Sequence, residues 1–334
     1  MSISQYATPS ILIATLWCLL FFMPATAFYF AALTKHRNVQ ITVAQKFQTL
    51  VRRKLSSTVH NTLKMTHSTI GSEPEELQIA LEKIDLSDTA RDQTKNDTSA
   101  SATLINNAKY VAKRVREASI KSGREQNAVR LVCVSKTKPA EDIQTLYDAG
   151  YRIFGENYFQ ELLLKAETLP RDIQWHFIGN LQSTKASKLV RTVLNLSVVE
   201  TVDTLKLAKK LDSACEAAGR PPLSIYIQVD TSGEDTKSGI DPADVVSFVQ
   251  SIREECPSLI VAGLMTIGAP DDFTCFDKLV LAREQVAASI GVEPSTLALS
   301  MGMSGDFEEA IEKGSTNVRV GSTIFGARDY GVQA

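Results

Sequence analysis

The chain has 334 residues, of which 44% are hydrophobic and 22% are charged, a composition typical of a globular protein. Its net charge of −2 and pI of about 6.2 do not favour a nucleic-acid-binding surface. The five cysteines form no CxxC pair and there are only four histidines, so the sequence predicts neither a disulfide framework nor a metal site.

The first 70 residues differ from the rest of the chain. Residues 11–33 carry no charge and are long enough to span a bilayer, and the small residues of 25–27 fit a signal-peptidase site. Residues 34–70 are basic, rich in Ser and Thr, and contain no acidic residue. We interpret 1–70 as a cleaved presequence for an organelle, either plastid or mitochondrion. The alternatives are a membrane anchor retained at 11–33 and a cytoplasmic protein whose reading frame starts later.

Residues 71–103 are predicted to be a linker. Their second half has almost no large apolar side chains and cannot bury enough surface to fold alone, so we expect the linker to be largely disordered. The folded domain is therefore predicted to span residues 104–330.

Helical and strand patterns alternate through this domain, beginning with an amphipathic helix at 105–123. Eight short β-rich runs follow, at 130–135, 152–155, 175–179, 198–202, 224–229, 261–267, 296–300 and 317–325. Helical patterns separate most of them, at 140–149, 157–169, 204–218, 242–255 and 273–290. Eight parallel βαβ units predict a single (β/α)8 TIM barrel of the α/β class. The alternative, an open doubly wound sheet, lacks its GxGxxG fingerprint after the first strand.

A lysine stands at the end of the first predicted strand, where a TIM barrel places its active site. Alternation with a period of two puts Lys136 on the same face as Val132 and Val134. If that face is the barrel interior, the amine enters the barrel mouth. Desolvation there lowers the pKa of the amine and makes it a nucleophile toward carbonyl compounds. The alternative is a strand-end lysine that pairs with a carboxylate. Lys138 is interpreted as a solvated loop lysine.

The last two predicted strands lead into loops rich in Gly and Ser, where TIM barrels often bind phosphate. The backbone N–H groups of Gly321, Ser322 and Thr323 and the hydroxyls of Ser300 and Ser304 could cradle one. A lysine beside a phosphate site suits a phosphate-bearing aldehyde, and pyridoxal 5′-phosphate (PLP) is such a molecule.

Arg319 alternates onto the same face as Gly321 and Thr323 and is the candidate partner for the pyridine nitrogen of this cofactor. An arginine there does not give up its proton, so it would leave the ring a poor electron sink.

Six motifs, in chain order, closely resemble the pyridoxal phosphate homeostasis protein family: VSKTKP, FGENYFQE, WHFIGNLQSTK, GLMTIG, SMGMSGD and RVGSTIFGAR. The resemblance covers residues 104–330 and implies the alanine-racemase-like TIM barrel called PLP fold type III. It implies that Lys136 carries a Schiff base to PLP, with Arg319 at the pyridine nitrogen. It also places Asn157 and His176 near the ring, although Asn157 could merely cap a helix and His176 could be a core histidine.

The resemblance also implies a function in intracellular PLP homeostasis without an established catalysed reaction. Apo-forms of PLP-dependent enzymes are then possible partners, and a monomer is expected. One alternative is an amino-acid racemase, but alanine racemase carries a catalytic tyrosine on a second domain, and the chain continues only to Ala334. Another alternative is a Schiff-base aldolase that acts on a sugar phosphate.

Overall fold

The computed structural model describes residues 86–234 and 238–327, with side chains described from residue 99 onward. The predicted presequence of 1–70 and its possible membrane segment 11–33 lie outside the described residues. Within the described part of the chain, no helix is both long enough and apolar enough to cross a membrane.

Eight parallel strands form a closed barrel in chain order. The strands are β1 (Arg130–Val134), β2 (Ile153–Glu156), β3 (Gln174–Phe177), β4 (Leu196–Val202), β5 (Leu223–Gln228), β6 (Leu259–Met265), β7 (Ala298–Ser300) and β8 (Asn317–Val320). The helices are α1 (Leu86–Lys121), α2 (Ala140–Asp148), α3 (Phe159–Thr168), α4 (Ser183–Thr192), α5 (Leu205–Ala217), α6 (Val245–Glu255), α7 (Thr274–Ile290), α8 (Phe307–Glu312) and α9 (Ser322–Phe325). A 3₁₀ turn, Pro294–Thr296, precedes β7.

The predicted (β/α)8 barrel is therefore confirmed. Pairing of β1 with β8 closes it, with Val132 opposite Arg319 in the register. Successive residues of a strand point to opposite faces, so Cys133 packs in the large apolar layer between sheet and helices while its neighbours face inward. A smaller apolar cluster of Val198, Tyr226 and Met265 lies apart from that layer. The interior of the barrel is thus a packed core above which a site can be built.

Helix α1 begins at Leu86, inside the range 71–103 that the sequence predicted to be a largely disordered linker. Among its residues with described side chains, from 99 onward, the buried apolar ones begin at Leu104 and continue through Ala108, Val111 and Val115. Extending a helix costs little once packing has formed its first turns, so a polar segment can continue a helix that it could not nucleate. The predicted domain boundary at 104 therefore lies within the helix.

The end of the last strand differs from the prediction, which extended it through residue 325. Strand β8 ends at Val320, and α9 begins at Ser322, where Ile324 N and Phe325 N both donate to the carbonyl oxygen of Gly321. The β-branched residues of this segment favour a strand locally, but tertiary context decides such short runs. Thr323 therefore does not continue the alternation of Arg319 and Gly321. Periodicity also failed to single out α4 and α8.

Candidate functional site

A cavity of about 340 Å³ opens among the segments that follow strands β1, β2, β3, β6, β7 and β8. We call it the mouth cavity, because these segments lie at the carboxyl ends of the strands. It brings together six of the nine predicted site residues: Lys136, Asn157, Ser304, Arg319, Gly321 and Ser322. The other three predicted residues, His176, Ser300 and Thr323, are not among its described lining residues.

Lys136 enters the cavity from a turn that follows β1, since the strand itself ends at Val134. The next residue, Thr137, has a φ of 62°, a left-handed conformation that β-branched residues rarely adopt. Its backbone N–H donates to Glu161 Oε2 at 2.8 Å. This carboxylate therefore helps to hold a strained turn whose geometry sets the direction of the Lys136 side chain.

A buried lysine anchors the same turn from the other side. Lys165 Nζ donates to the carbonyl oxygen of Ser135 at 2.9 Å, to Glu156 Oε1 at 2.7 Å and to Glu161 Oε2 at 3.0 Å. Burial raises the pKa of Glu156, while Lys165 and the hydroxyl of Ser135 act to lower it. Removing the Lys165 cation would leave the buried charge of Glu156 without compensation, so these groups stabilise the fold only together. Residues 135–138, the lysine turn, are thereby tied to β2 and α3.

Asn157 lines the cavity between β2 and α3. The cap of α3 is Tyr158, which makes no side-chain capping hydrogen bond, so Asn157 does not serve as that cap. Its side-chain Oδ1 is buried and has no hydrogen-bond partner among the described residues. Buried polar atoms are almost always paired, so this oxygen is suited to receive a hydrogen bond from a bound molecule.

Gly179 sets the position of Asn157 from the neighbouring strand end. A Cβ added at Gly179 would lie 2.0 Å from the carbonyl oxygen of Asn157. We expect Gly179→Ala to push the Asn157 backbone away, lowering the free energy of unfolding by about 1–3 kcal/mol and weakening ligand binding. Urea denaturation followed by fluorescence measures the first effect. Gly305→Ala is the matched control for stability, because a Cβ there meets no atom within 4 Å. Equal stability of the two variants would contradict this close approach.

The predicted phosphate end of the cavity is formed by the segments after β7 and β8. Gly321 N donates to Ser304 Oγ at 3.2 Å, which joins the two segments, and the Ser322 side chain lines the cavity beside them. A Cβ at Gly321 would lie 3.3 Å from the carbonyl oxygen of Val134, so glycine allows β8 to end close against β1. Two hydroxyls and a glycine-rich backbone, with no carboxylate among the described lining residues, suit a phosphate group.

Arg319 supplies a buried cation at the cavity. Its side chain is only 5% exposed; Nη1 donates to Ser300 Oγ at 2.6 Å and Nη2 to the carbonyl oxygen of Thr266 at 2.8 Å. Burial lowers the pKa of Arg319, and Glu200 and Asp306 oppose that change. An arginine retains its charge in proteins, so Arg319 offers hydrogen-bond donors only.

Two of the predicted residues that do not line the cavity meet at a buried carboxylate. Ser300 Oγ is hydrogen-bonded to Glu200 Oε2, and His176 Nδ1 lies 2.5 Å from Glu200 Oε1. All three residues are at most 1% exposed. His176 thus has the surroundings of a core histidine, and Ser300 contacts Arg319 instead of lining the phosphate end. Thr323 lies in α9, partly buried.

Glu200 is the residue that sequence reasoning missed. It lies in β4 within the run SVVETV, where period-two alternation puts it on the face of Val198. The sequence signal that could have identified Glu200 is a carboxylate on the inward face of a barrel strand. Charged side chains are rarely buried without partners.

The titratable groups that line the cavity are all basic. Among its described lining residues these are Lys136, Lys138 and Arg319, and no carboxylate, imidazole, phenol or thiol accompanies them. Lys138 Nζ donates to the carbonyl oxygen of Ala327 at 2.9 Å. In this part of the chain, the two lysines are the side chains of the cavity that could act as bases.

Comparison with known proteins gives a consistent picture. The alanine racemase N-terminal domain family matches residues 100–329. The pyridoxal phosphate homeostasis protein of Bos taurus is 47% identical over 239 residues, covering 66% of this chain and 85% of the relative. The Pseudomonas aeruginosa protein of the same name is 41% identical over 235 residues, covering 70% and 99%.

Solved structures agree with these sequence matches. An unknown protein from Bifidobacterium adolescentis is 36% identical with a TM-score of 0.62, covering 68% of this chain and 96% of that one. PipY of Synechococcus elongatus, solved with PLP bound, is 35% identical with a TM-score of 0.51, covering 64% and 99%. Alanine racemase of Bartonella henselae is 17% identical with a TM-score of 0.51, covering 70% and 61%, which shows a shared fold alone.

Proposed function

We propose that this chain, which belongs to the pyridoxal phosphate homeostasis protein family, binds PLP in its mouth cavity and takes part in intracellular PLP homeostasis. The observation that carries the proposal is the convergence on one cavity of an amine, two hydroxyls with a glycine-rich backbone, and a buried arginine. A relative solved with PLP bound supports the identity of the ligand.

The residues present fit this cofactor. Ser304, Gly321 and Ser322 would hold the phosphate, and Arg319 would donate to the pyridine nitrogen. The unpartnered Oδ1 of Asn157 leaves one buried acceptor in the cavity for a ligand to satisfy. When bound, PLP supplies an aldehyde, which the amine of Lys136 would hold as a Schiff base.

The basic lining favours holding the cofactor over turning a substrate over. Arg319 can only donate at the ring nitrogen and keeps its proton, so it would leave the ring a poor electron sink. The described lining also lacks a carboxylate, imidazole or phenol that could exchange a proton opposite Lys136. We therefore infer a carrier or regulator that takes up PLP and releases it, with PLP-dependent apo-enzymes as the acceptors.

The test combines binding with transfer. We expect purified protein to develop a visible absorption band on addition of PLP and to retain the cofactor through gel filtration. The loaded protein should then restore activity to an apo-form of a PLP-dependent enzyme. Protein that neither absorbs nor retains PLP would refute the binding proposal. Turnover of an amino acid that Lys136→Ala abolishes would instead establish an enzyme, and trapping of a sugar phosphate would point to an aldolase.

A further inference from the structure

A buried polar cluster touches the mouth cavity through Arg319. Arg319 Nη1 donates to Ser300 Oγ, and Ser300 Oγ is in turn bonded to Glu200 Oε2. His176 Nδ1 lies against Glu200 Oε1, and Asn317 Nδ2 reaches Ser300 Oγ at 2.9 Å and Glu200 Oε1 at 3.3 Å. Apart from Arg319, none of these side chains is among the described lining of the cavity.

The charges of this cluster give its hydrogen bonds a direction. Burial alone would raise the pKa of Glu200, but hydrogen bonding and attraction from His176, the charge of Arg319 and the hydroxyl of Ser300 bring it below its usual value. Glu200 is therefore a carboxylate and accepts only. The single hydroxyl proton of Ser300 must point to Glu200, because Arg319 and Asn317 both donate to Ser300 Oγ.

We propose that Glu200 is a positioning residue for Arg319, acting through Ser300. With its proton directed to Glu200, Ser300 presents a lone pair to Nη1, while the Thr266 carbonyl holds Nη2. Glu200 also supplies the counter-charge, with Oε2 3.9 Å from Nη1. The guanidinium is thereby fixed in one plane, and its remaining N–H groups are available to a ligand. This inference rests on the proposed function, in which Arg319 donates to the pyridine nitrogen of PLP.

Glu200→Gln tests it, because the change removes the charge and nearly preserves the shape. The measurement is a titration of the full chain with PLP, which gives the dissociation constant and the wavelength of the visible band. We expect binding roughly ten-fold weaker or more, together with a shifted band, since the ring would meet a misplaced guanidinium. Ser300→Ala interrupts the same path at another residue and should act in the same direction, whether or not Glu200→Gln folds.

A double-mutant cycle separates positioning from general damage to the barrel. In an Arg319→Met background, Glu200→Gln should cause no further loss of PLP affinity, because the residue through which it acts is gone. Asp212→Asn is the matched control: Asp212 is another buried carboxylate, on α5, which accepts from Ser258 N at 2.7 Å. That variant should bind PLP as the wild type does.

Two results would overturn the inference while leaving the proposed function intact. One is wild-type affinity and an unshifted band in both Glu200→Gln and Ser300→Ala. The other is a loss from Glu200→Gln of the same size with and without Arg319. Failure of the wild-type protein to bind PLP would instead overturn the proposed function, and this inference with it.

Discussion

Replacing Lys136 by alanine should abolish covalent retention of PLP and weaken its binding roughly 100-fold, which corresponds to about 2.7 kcal/mol of binding free energy. Lys136 lines the mouth cavity from a turn held by two carboxylates and a buried lysine. Its loss removes the amine but leaves Ser304, Ser322 and Arg319 in place, so the phosphate and the ring keep their proposed contacts. We therefore expect weak, reversible binding by the variant.

Borohydride reduction followed by peptide mass spectrometry measures the covalent link directly. Reduced wild-type protein should carry the cofactor mass on the peptide that contains residue 136, and Lys136→Ala should carry none. Lys138→Ala is the sharp control, because Lys138 lines the same cavity but donates to the carbonyl oxygen of Ala327. It should keep the adduct on Lys136. An adduct that survives Lys136→Ala and disappears from Lys138→Ala would show that the other lysine holds the aldehyde.

The sequence predicted the barrel because its signals are local and repeated. The strands of the β1 to β8 series are short apolar or β-branched runs, and helical patterns separate most of them, which leaves few topologies. The position of Lys136 at a strand end followed from the same reasoning, and the cavity does contain its side chain. What failed was the end of β8, where Ser322 to Phe325 reads as a strand alone but forms a helix in its tertiary setting.

The second layer of the site was not predictable in the same way. Ser300 was assigned to the phosphate end from its place in a Gly- and Ser-rich loop, but its neighbour in space is Glu200, 100 residues earlier in the chain. Likewise, the carboxylates that hold the lysine turn come from β2 and α3. Such partners depend on the register and rotamers of non-adjacent strands, and periodicity within one segment carries no information about them.

The ion cluster beneath the lysine turn leads to the second prediction. Glu156 is fully buried, and its Oε1 receives both Lys165 Nζ and Ser135 Oγ. Lys165→Met removes the cation and leaves that carboxylate without a counter-charge, a loss that costs about 3–5 kcal/mol in other buried pairs. Because Glu161 and the Ser135 carbonyl also lose a donor, the strained conformation of Thr137 should relax. We expect Lys165→Met to lose most of its unfolding free energy and to bind PLP poorly.

The pH dependence of the unfolding free energy shows whether the loss in Lys165→Met comes from the uncompensated charge of Glu156. Burial already raises the pKa of Glu156, and loss of Lys165 should raise it further. A carboxyl whose folded pKa lies above its unfolded value is stabilising when protonated. Because the unfolded state titrates alike in both proteins, the deficit of Lys165→Met should be smallest below the folded pKa of Glu156 in the wild type. It should grow as the pH rises toward the higher folded pKa in the variant. Urea unfolding of wild type and variant across this range measures it.

The double variant Glu156→Gln/Lys165→Met, which has no buried charge to compensate, should recover much of the stability. A deficit that is independent of pH and persists in the double variant would assign the effect to lost packing of the Lys165 side chain.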